Sequence, residues 1–197
     1  MGKLILIRHG QTDMNKDQMY YGRMDVPINE TGRKQAEKAR ETLINLKIDY
    51  DKIYSSNLKR AYETAKIVNY KNLEIETNEK IQEMDFGIFE GLCYEEIVEK
   101  YPEEMELLKK DWKTYSYVTG ENPFMLQERA VKFLESIDKS KNNMVVTHWG
   151  IICSLLSWLF SNELDSYWKF QIKNGGIAVI DFVDNNYPVL CSFNVGG

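Results

Sequence analysis

The sequence predicts an α/β fold: a three-layer α/β/α sandwich with a mostly parallel central sheet and a C-terminal antiparallel hairpin. Three features carry this reading. Short apolar runs alternate with stretches whose apolar residues recur at helical spacing, an order that implies right-handed crossovers and a parallel sheet. Two late apolar runs flank the turn-rich Asp184-Asn185-Asn186-Tyr187-Pro188, the pattern of a hairpin. The 197 residues, 43% of them hydrophobic, contain no repeat, low-complexity tract or linker, so residues 1–197 are expected to form a single domain.

Residues 4–7 are continuously apolar, as expected of a central strand buried on both faces. Residues 11–28 are polar, turn-rich and too irregular for a helix, and connections of this length are often functional. Asn29 caps a helix ending near Lys47, with Ala36, Ala39, Leu43 and Leu46 on its apolar face. Residues 51–55 form a short strand, and Ser56 or Asn57 caps a second helix that turns Leu58, Ala61, Ala65 and Val68 inward. Lys59 and Arg60 fall in its first turn, where the dipole disfavours cations by up to ~1 kcal/mol, an effect that an anion there would reverse. Residues 73–77 read as a third strand and residues 81–91 as an acidic, shaped loop. Helices over 94–110 and 123–139 are joined by an aromatic linker (Trp112, Tyr115, Tyr117), which gives a helical cap segment around residues 92–122. Residues 144–147 are another buried strand, 149–160 an apolar helix, and 176–182 with 189–193 the hairpin.

The net charge of −5 argues against a large nucleic-acid surface, since phosphate backbones are held by clustered Lys and Arg. No apolar run approaches the ~20 residues of a membrane span. The apolar stretch at the start is too short for a secretory signal, and Leu6 stands where a myristoylation signal wants Ser or Thr. A cytoplasmic protein with neither nucleic-acid nor membrane partners is expected; a homodimer is compatible with the sequence. Cys93, Cys153 and Cys191 have neither disulfide-framework nor zinc spacing and read as reduced, partly buried thiols.

The chain has two histidines, His9 and His148, and each follows a predicted strand and has a glycine within two residues. In open α/β sheets the ligand crevice lies beyond the carboxyl ends of the strands. Together with Arg8 and Arg60 they form a set suited to phosphoryl transfer. A neutral imidazole attacks phosphorus, guanidiniums clamp the phosphoryl oxygens, and a second, cationic imidazole stabilises their charge. The leaving alcohol needs a proton from a carboxyl group, for which Glu83 is the candidate and Asp85 and Glu90 the competitors. Glu90 can instead cap backbone amides of its loop. A metal hydrolase with His9, His148 and Glu83 as ligands is the alternative chemistry.

These residues lie in blocks that resemble the histidine phosphatase superfamily, the phosphoglycerate mutase-like enzymes. The blocks are Arg8-His9-Gly10-Gln11-Thr12 with Asn15; Gly22-Arg23-Met24-Asp25-Val26-Pro27-Ile28 with Gly32; Ser55-Ser56-Asn57-Leu58-Lys59-Arg60 and onward to Ala65; Glu83-Met84-Asp85-Phe86-Gly87-Ile88-Phe89-Glu90-Gly91; and Val146-Thr147-His148-Trp149-Gly150. The resemblance implies that His9 is the nucleophile, oriented by the Gly10 carbonyl. Arg8, Arg60 and His148 would form the phosphate pocket, Asn15 would line it, and Glu83 would donate the proton. It implies no metal and no cofactor, and a small phosphate monoester as substrate. Gln11 stands where Glu is often found, and both occur in the family.

Phosphomonoesterase, mutase and non-catalytic phospholigand binding remain to be distinguished. The interval from Glu83 to His148 lacks the longer insertion of the mutases, and the chain stops soon after its hairpin, which favours a phosphatase. The residues 20–27 block is most similar to the α-ribazole phosphatase branch; broad-specificity and sugar-phosphate phosphatases are the alternatives. Trp112, Tyr115 and Tyr117 are expected mainly to pack, the functional alternative being a flat apolar wall for an aromatic base.

Overall fold

The computed structural model describes residues 2–197. A six-stranded sheet, β1 (Lys3–Arg8), β2 (Lys52–Ser55), β3 (Ile75–Thr77), β4 (Asn143–Thr147), β5 (Ile177–Val183) and β6 (Tyr187–Val195), runs in the order β3-β2-β4-β1-β5-β6. The first four strands are parallel, and the β5–β6 hairpin adds antiparallel to β1.

Alternation along β1 explains the three layers, because successive side chains point to opposite faces. Leu4 and Leu6 join Val145 of β4 in a core beneath α6 (Pro123–Ser136) and α7 (Trp149–Phe160). Ile5 and Ile7 join Met144 and Val146 in a second core beneath α2 (Glu30–Asn45) and α3 (Lys59–Val68). Residues 4–7 of the strand are all apolar because both of its faces are covered there.

Several local expectations need correction. The stretch expected to be wholly irregular contains a one-turn helix, α1 (Asp13–Lys16), closed by a reciprocal cap in which Thr12 Oγ1 accepts from Asn15 N–H and Asn15 Oδ1 accepts from Thr12 N–H, both at 3.1 Å. Asn29 does cap α2, but the helix ends at Asn45 and leaves Leu46 55% exposed, outside its apolar face. Neither Ser56 nor Asn57 is the N-cap of α3. That position is Leu58, whose N–H donates to Ser56 Oγ, while Asp25 Oδ1 accepts from Lys59 N–H at 2.6 Å. Asp25 thus supplies the anion that this cation-bearing helix start calls for.

The helix expected over 94–110 is two helices, α4 (Tyr94–Lys100) and α5 (Pro102–Lys110), because proline disfavours helical backbone in the residue before it. Helix α6 stops at Ser136, short of Lys139. Cys93 is half-buried, Cys153 buried and Cys191 exposed, all as free thiols. Among the described residues no helix is long and apolar enough to cross a membrane.

The turn after β1 packs directly on α2. A Cβ on Gly32 would run into the Gln11 backbone, coming within 2.7 Å of its nitrogen. In an ordinary helix Gly→Ala stabilises by up to about 1 kcal/mol. Here we expect the opposite sign: Gly32→Ala should destabilise by about 1–3 kcal/mol through overpacking, measured as a lower urea midpoint at unchanged m-value.

Candidate active site

Strand register builds the centre of the site. Arg8 of β1 lies opposite Thr147 of β4, so the next residues, His9 and His148, leave adjoining strand ends together. His9 N–H donates to the Thr147 carbonyl at 2.9 Å. The two imidazoles are buried, with centroids 5.1 Å apart and planes inclined at 59°.

The His9 ring has a defined tautomer. Its Nδ1 lies 2.7 Å from the Gly10 carbonyl, which can only accept, so Nδ1 carries the proton and Nε2 the lone pair. Gly10 is itself fixed by donating to Thr64 Oγ1 at 3.0 Å, and Thr64 Oγ1 donates to the Arg60 carbonyl at 2.7 Å.

Both arginines reach the site with neutral partners. Arg60 is fully buried and donates to the carbonyls of Met24 at 2.8 Å and Gly22 at 2.7 Å, with its guanidinium 4.7 Å from the Tyr21 ring centroid. Half-buried Arg8 donates to the Ile172 carbonyl at 2.8 Å. Neither Nε atom has a protein partner, nor does either ring nitrogen of His148. Asn15 lines the same cavity. Its amide oxygen accepts from Thr12 N–H and from Asn174 Nδ2 at 3.2 Å, which leaves its NH2 as the donor side.

The three carboxylates proposed from sequence separate clearly. Glu83 lines the cavity and accepts from Met84 N–H at 2.9 Å and from Gly150 N–H at 3.2 Å, at the start of α7. A Cβ at Gly150 would meet this carboxylate, so any larger residue there would push the Glu83 side chain out of its present position. Glu90 takes the structural alternative, accepting from the N–H groups of Arg23 at 2.6 Å and Met24 at 3.0 Å. Asp85 closes a turn by accepting from Gly87 N–H at 2.9 Å. Neither lines the cavity.

The cavity holds about 510 Å³, with His9 and an aromatic wall among its lining. Trp112 and Tyr117 line it, but Tyr115 does not. The Tyr115 hydroxyl instead donates to Glu104 at 2.7 Å. Trp149, Tyr167 and Trp168, which sequence reasoning assigned no role, complete the wall. Trp168 stands 65% exposed at the mouth, within 5.1–5.4 Å of the Trp112, Trp149 and Tyr167 rings. Among the described residues no group of three or more His, Cys, Asp or Glu is arranged to hold a metal ion.

Burial is the main cause holding the His9 imidazole well below its ordinary pKa of 6.5, with Arg60 and Arg8 adding to it. The same holds for His148, where burial is followed by Arg60, His9, Arg129 and Arg8. The cationic His148 expected from sequence therefore requires a bound anion to bring its proton.

Fold and site together define a phosphate-ester hydrolase. The chain belongs to the histidine phosphatase superfamily (branch 1), whose family model matches residues 4–195, and it is a phosphatase. It is 33% identical to phosphoserine phosphatase 1 of Hydrogenobacter thermophilus, over 96% of this chain and 91% of that one. It is 27% identical to the adenosylcobalamin/alpha-ribazole phosphatase of Escherichia coli, over 91% and 89%. Among solved structures it resembles the alpha-ribazole phosphatase of Shigella flexneri (TM-score 0.90, 26% identity, 99% and 97% covered). It also resembles a phosphoserine phosphatase of Entamoeba histolytica in complex with phosphoserine (TM-score 0.83, 30% identity, 100% and 98% covered).

The histidines make stability pH-dependent. Both are neutral when folded and bind protons below about pH 6.5 when unfolded, so the unfolded state gains protons as pH falls. Their contribution is complete above that value and is lost below it, at roughly 1 kcal/mol per pH unit for each. Urea unfolding compared at about pH 7 and about pH 5 should show this loss, and His148→Gln should flatten it by about half.

Proposed function

We propose that the protein hydrolyses a phosphate monoester through a phosphohistidine. The observation that carries this is the His9 lone pair, fixed by the Gly10 carbonyl and facing cations whose protein partners are neutral carbonyls. His9 Nε2 attacks phosphorus as the bond to the alcohol oxygen breaks, and Glu83 gives that oxygen its proton. Arg8, Arg60, Asn15 and protonated His148 hold the phosphoryl oxygens. In the second step Glu83 takes a proton from water, the resulting oxygen attacks phosphorus, and the N–P bond breaks to release phosphate. Residues 92–122 act as a cap over this chemistry and contribute Trp112 and Tyr117 to the wall.

His9→Ala should abolish acid-labile phosphoenzyme. His148→Ala should slow its formation, by about 100-fold or more, yet leave trappable intermediate. Rapid quench with labelled substrate reads both, and equal, complete loss in two folded variants would contradict the division of roles. Transfer of the trapped group to a second ester rather than to water would make the enzyme a mutase.

The substrate we propose carries a flat apolar group on its alcohol, with α-ribazole 5'-phosphate as the candidate. The aromatic wall supports this, as does the likeness to alpha-ribazole phosphatases. Phosphoserine is the second reading, favoured by the similarity to phosphoserine phosphatase 1. Against it, among the described residues the one lining cation beyond Arg8 and Arg60 that could meet its carboxylate is Lys109, which is already paired with Glu106 at 2.8 Å. Steady-state kcat/KM should be higher for α-ribazole 5'-phosphate than for phosphoserine. Trp168→Ala should lower it about fivefold for the former alone, in line with ~1 kcal/mol of ring stacking. The reverse preference would select phosphoserine.

A further inference from the structure

Outside the substrate cavity, the most heavily hydrogen-bonded ion pair in the molecule converges on the segment that carries Glu83. Arg129 projects from α6 with 15% of its side chain exposed, and Glu121 is buried to the same degree. The Arg129 Nε donates to Glu121 Oε1 at 2.7 Å and one Nη2 bond goes to Oε2 at 2.8 Å, a bidentate pair. The remaining bonds go to backbone: Nη1 to the carbonyls of Lys80 at 2.8 Å and Gln82 at 2.6 Å, and Nη2 to the carbonyl of Glu83 at 2.9 Å. Glu121 completes the grip from the other side by accepting from Asp85 N–H at 3.0 Å. The pair therefore holds the chain at 80, 82 and 83 through carbonyls and at 85 through an amide, on both sides of Glu83.

We infer that Arg129 and Glu121 are positioning residues that aim the Glu83 carboxyl at the leaving-group oxygen. This rests on the reading of Glu83 as proton donor. Burying an ion pair contributes little net stability and can oppose it, so stability is a poor account of this arrangement. Aim is a better one, because a misplacement of about 1 Å costs on the order of 100-fold in rate. The loop around Glu83 has no sheet or α-helical ladder of its own to fix it. It is spanned by two short 3-10 turns, Glu79–Ile81 and Gly87–Phe89. Arg129 supplies the missing order from a long helix. Arg23, which donates to Glu121 Oε2 at 3.2 Å, ties the same carboxylate to the loop that supplies carbonyls to Arg60.

Leaving-group dependence separates aim from fold. Phenyl phosphate and p-nitrophenyl phosphate have similar shapes, but phenolate needs a proton as it departs and nitrophenolate does not. The parameter to read is kcat/KM, which reports P–O cleavage with N–P formation at His9 and excludes the later water step. Arg129→Lys keeps the charge but cannot reproduce the fork. Glu121→Gln/Arg129→Met removes both charges together, so that no uncompensated ion is left buried. We expect each to lower kcat/KM for phenyl phosphate by about 100-fold while changing p-nitrophenyl phosphate less than about threefold, the pattern of a lost general acid. Glu83→Gln should give the same selectivity. Equal losses on both esters in the Arg129 variants, with selectivity intact in Glu83→Gln, would overturn the positioning role alone. Equal losses in Glu83→Gln would overturn the proton-donor reading and this inference with it.

Discussion

The site depends on how its arginines are partnered. Arg60 is fully buried, and burial lowers its pKa, yet its hydrogen-bond acceptors are backbone carbonyls of the loop beginning at Tyr21. Arg8 likewise donates to the carbonyl of Ile172. Carbonyl dipoles orient a guanidinium and satisfy its donors without cancelling its charge, whereas a carboxylate would do both. The result is a pair of buried cations without an ion-pair partner, offset only at a distance by Glu83, Glu90 and Asp25, in a chain whose net charge is −5. Burial is the main reason the imidazoles stay neutral, and the guanidiniums add to it by raising the cost of a further proton nearby. A phosphate dianion reverses that cost, so the ligand that the arginines select is also one beside which His148 can take up a proton from solvent.

Topology supplies the rest of the placement. Parallel pairing of β1 with β4 puts two strand exits side by side, and the loops from 20 to 28 and from 79 to 91 close over them. Glu83 is fixed at its carboxylate by the first turn of α7 and at its backbone by α6, so both helices on that face of the sheet act on one side chain. Gly150 and Glu83 are a single design constraint seen from two elements, because the absent Cβ of one is the space used by the other.

Most of this centre was legible in the sequence. Apolar runs ending in histidine predict buried strands that deliver polar groups to a crevice, and β1 and β4 do so. Arg60 alone would read as an ordinary helix-surface cation; its place after Ser55-Ser56 in the resembling block marked it, and a cation in the first turn of a helix calls for a reason. The reason has two parts: Asp25 answers the helix, and Arg60 turns inward to carbonyls. Glu83 was the candidate and Asp85 and Glu90 its competitors, and what separates their roles is which amides surround them in three dimensions. Arg129 and Glu121 were invisible for a similar reason. Eight residues apart and in unrelated local contexts, they pair directly, and what they hold together is a set of carbonyls 46 to 49 positions from Arg129. Trp168 carries no periodic signal, lying in a short turn whose position is set by packing against Trp112 and Trp149. The split at Tyr101-Pro102 was missed by the single helix expected over 94–110, although Pro102 carried the signal, since proline marks a helix start as firmly as it ends the preceding one.

The depth of the histidines has a bearing on the order of events. They sit at the floor, 3% and 0% exposed, while the aromatic wall leads outward to Trp168 at the rim. On the proposed chemistry, the alcohol occupies the corridor through which water must come. The dephosphorylating water can then reach phosphorus only after the first product has left. Hydrolysis becomes a sequential exchange through one door, in which the organic product departs before inorganic phosphate. A bulkier alcohol protects the phosphohistidine for as long as it lingers. Product inhibition should therefore differ in kind: phosphate competing with substrate for the floor, and the alcohol delaying turnover by holding the corridor shut.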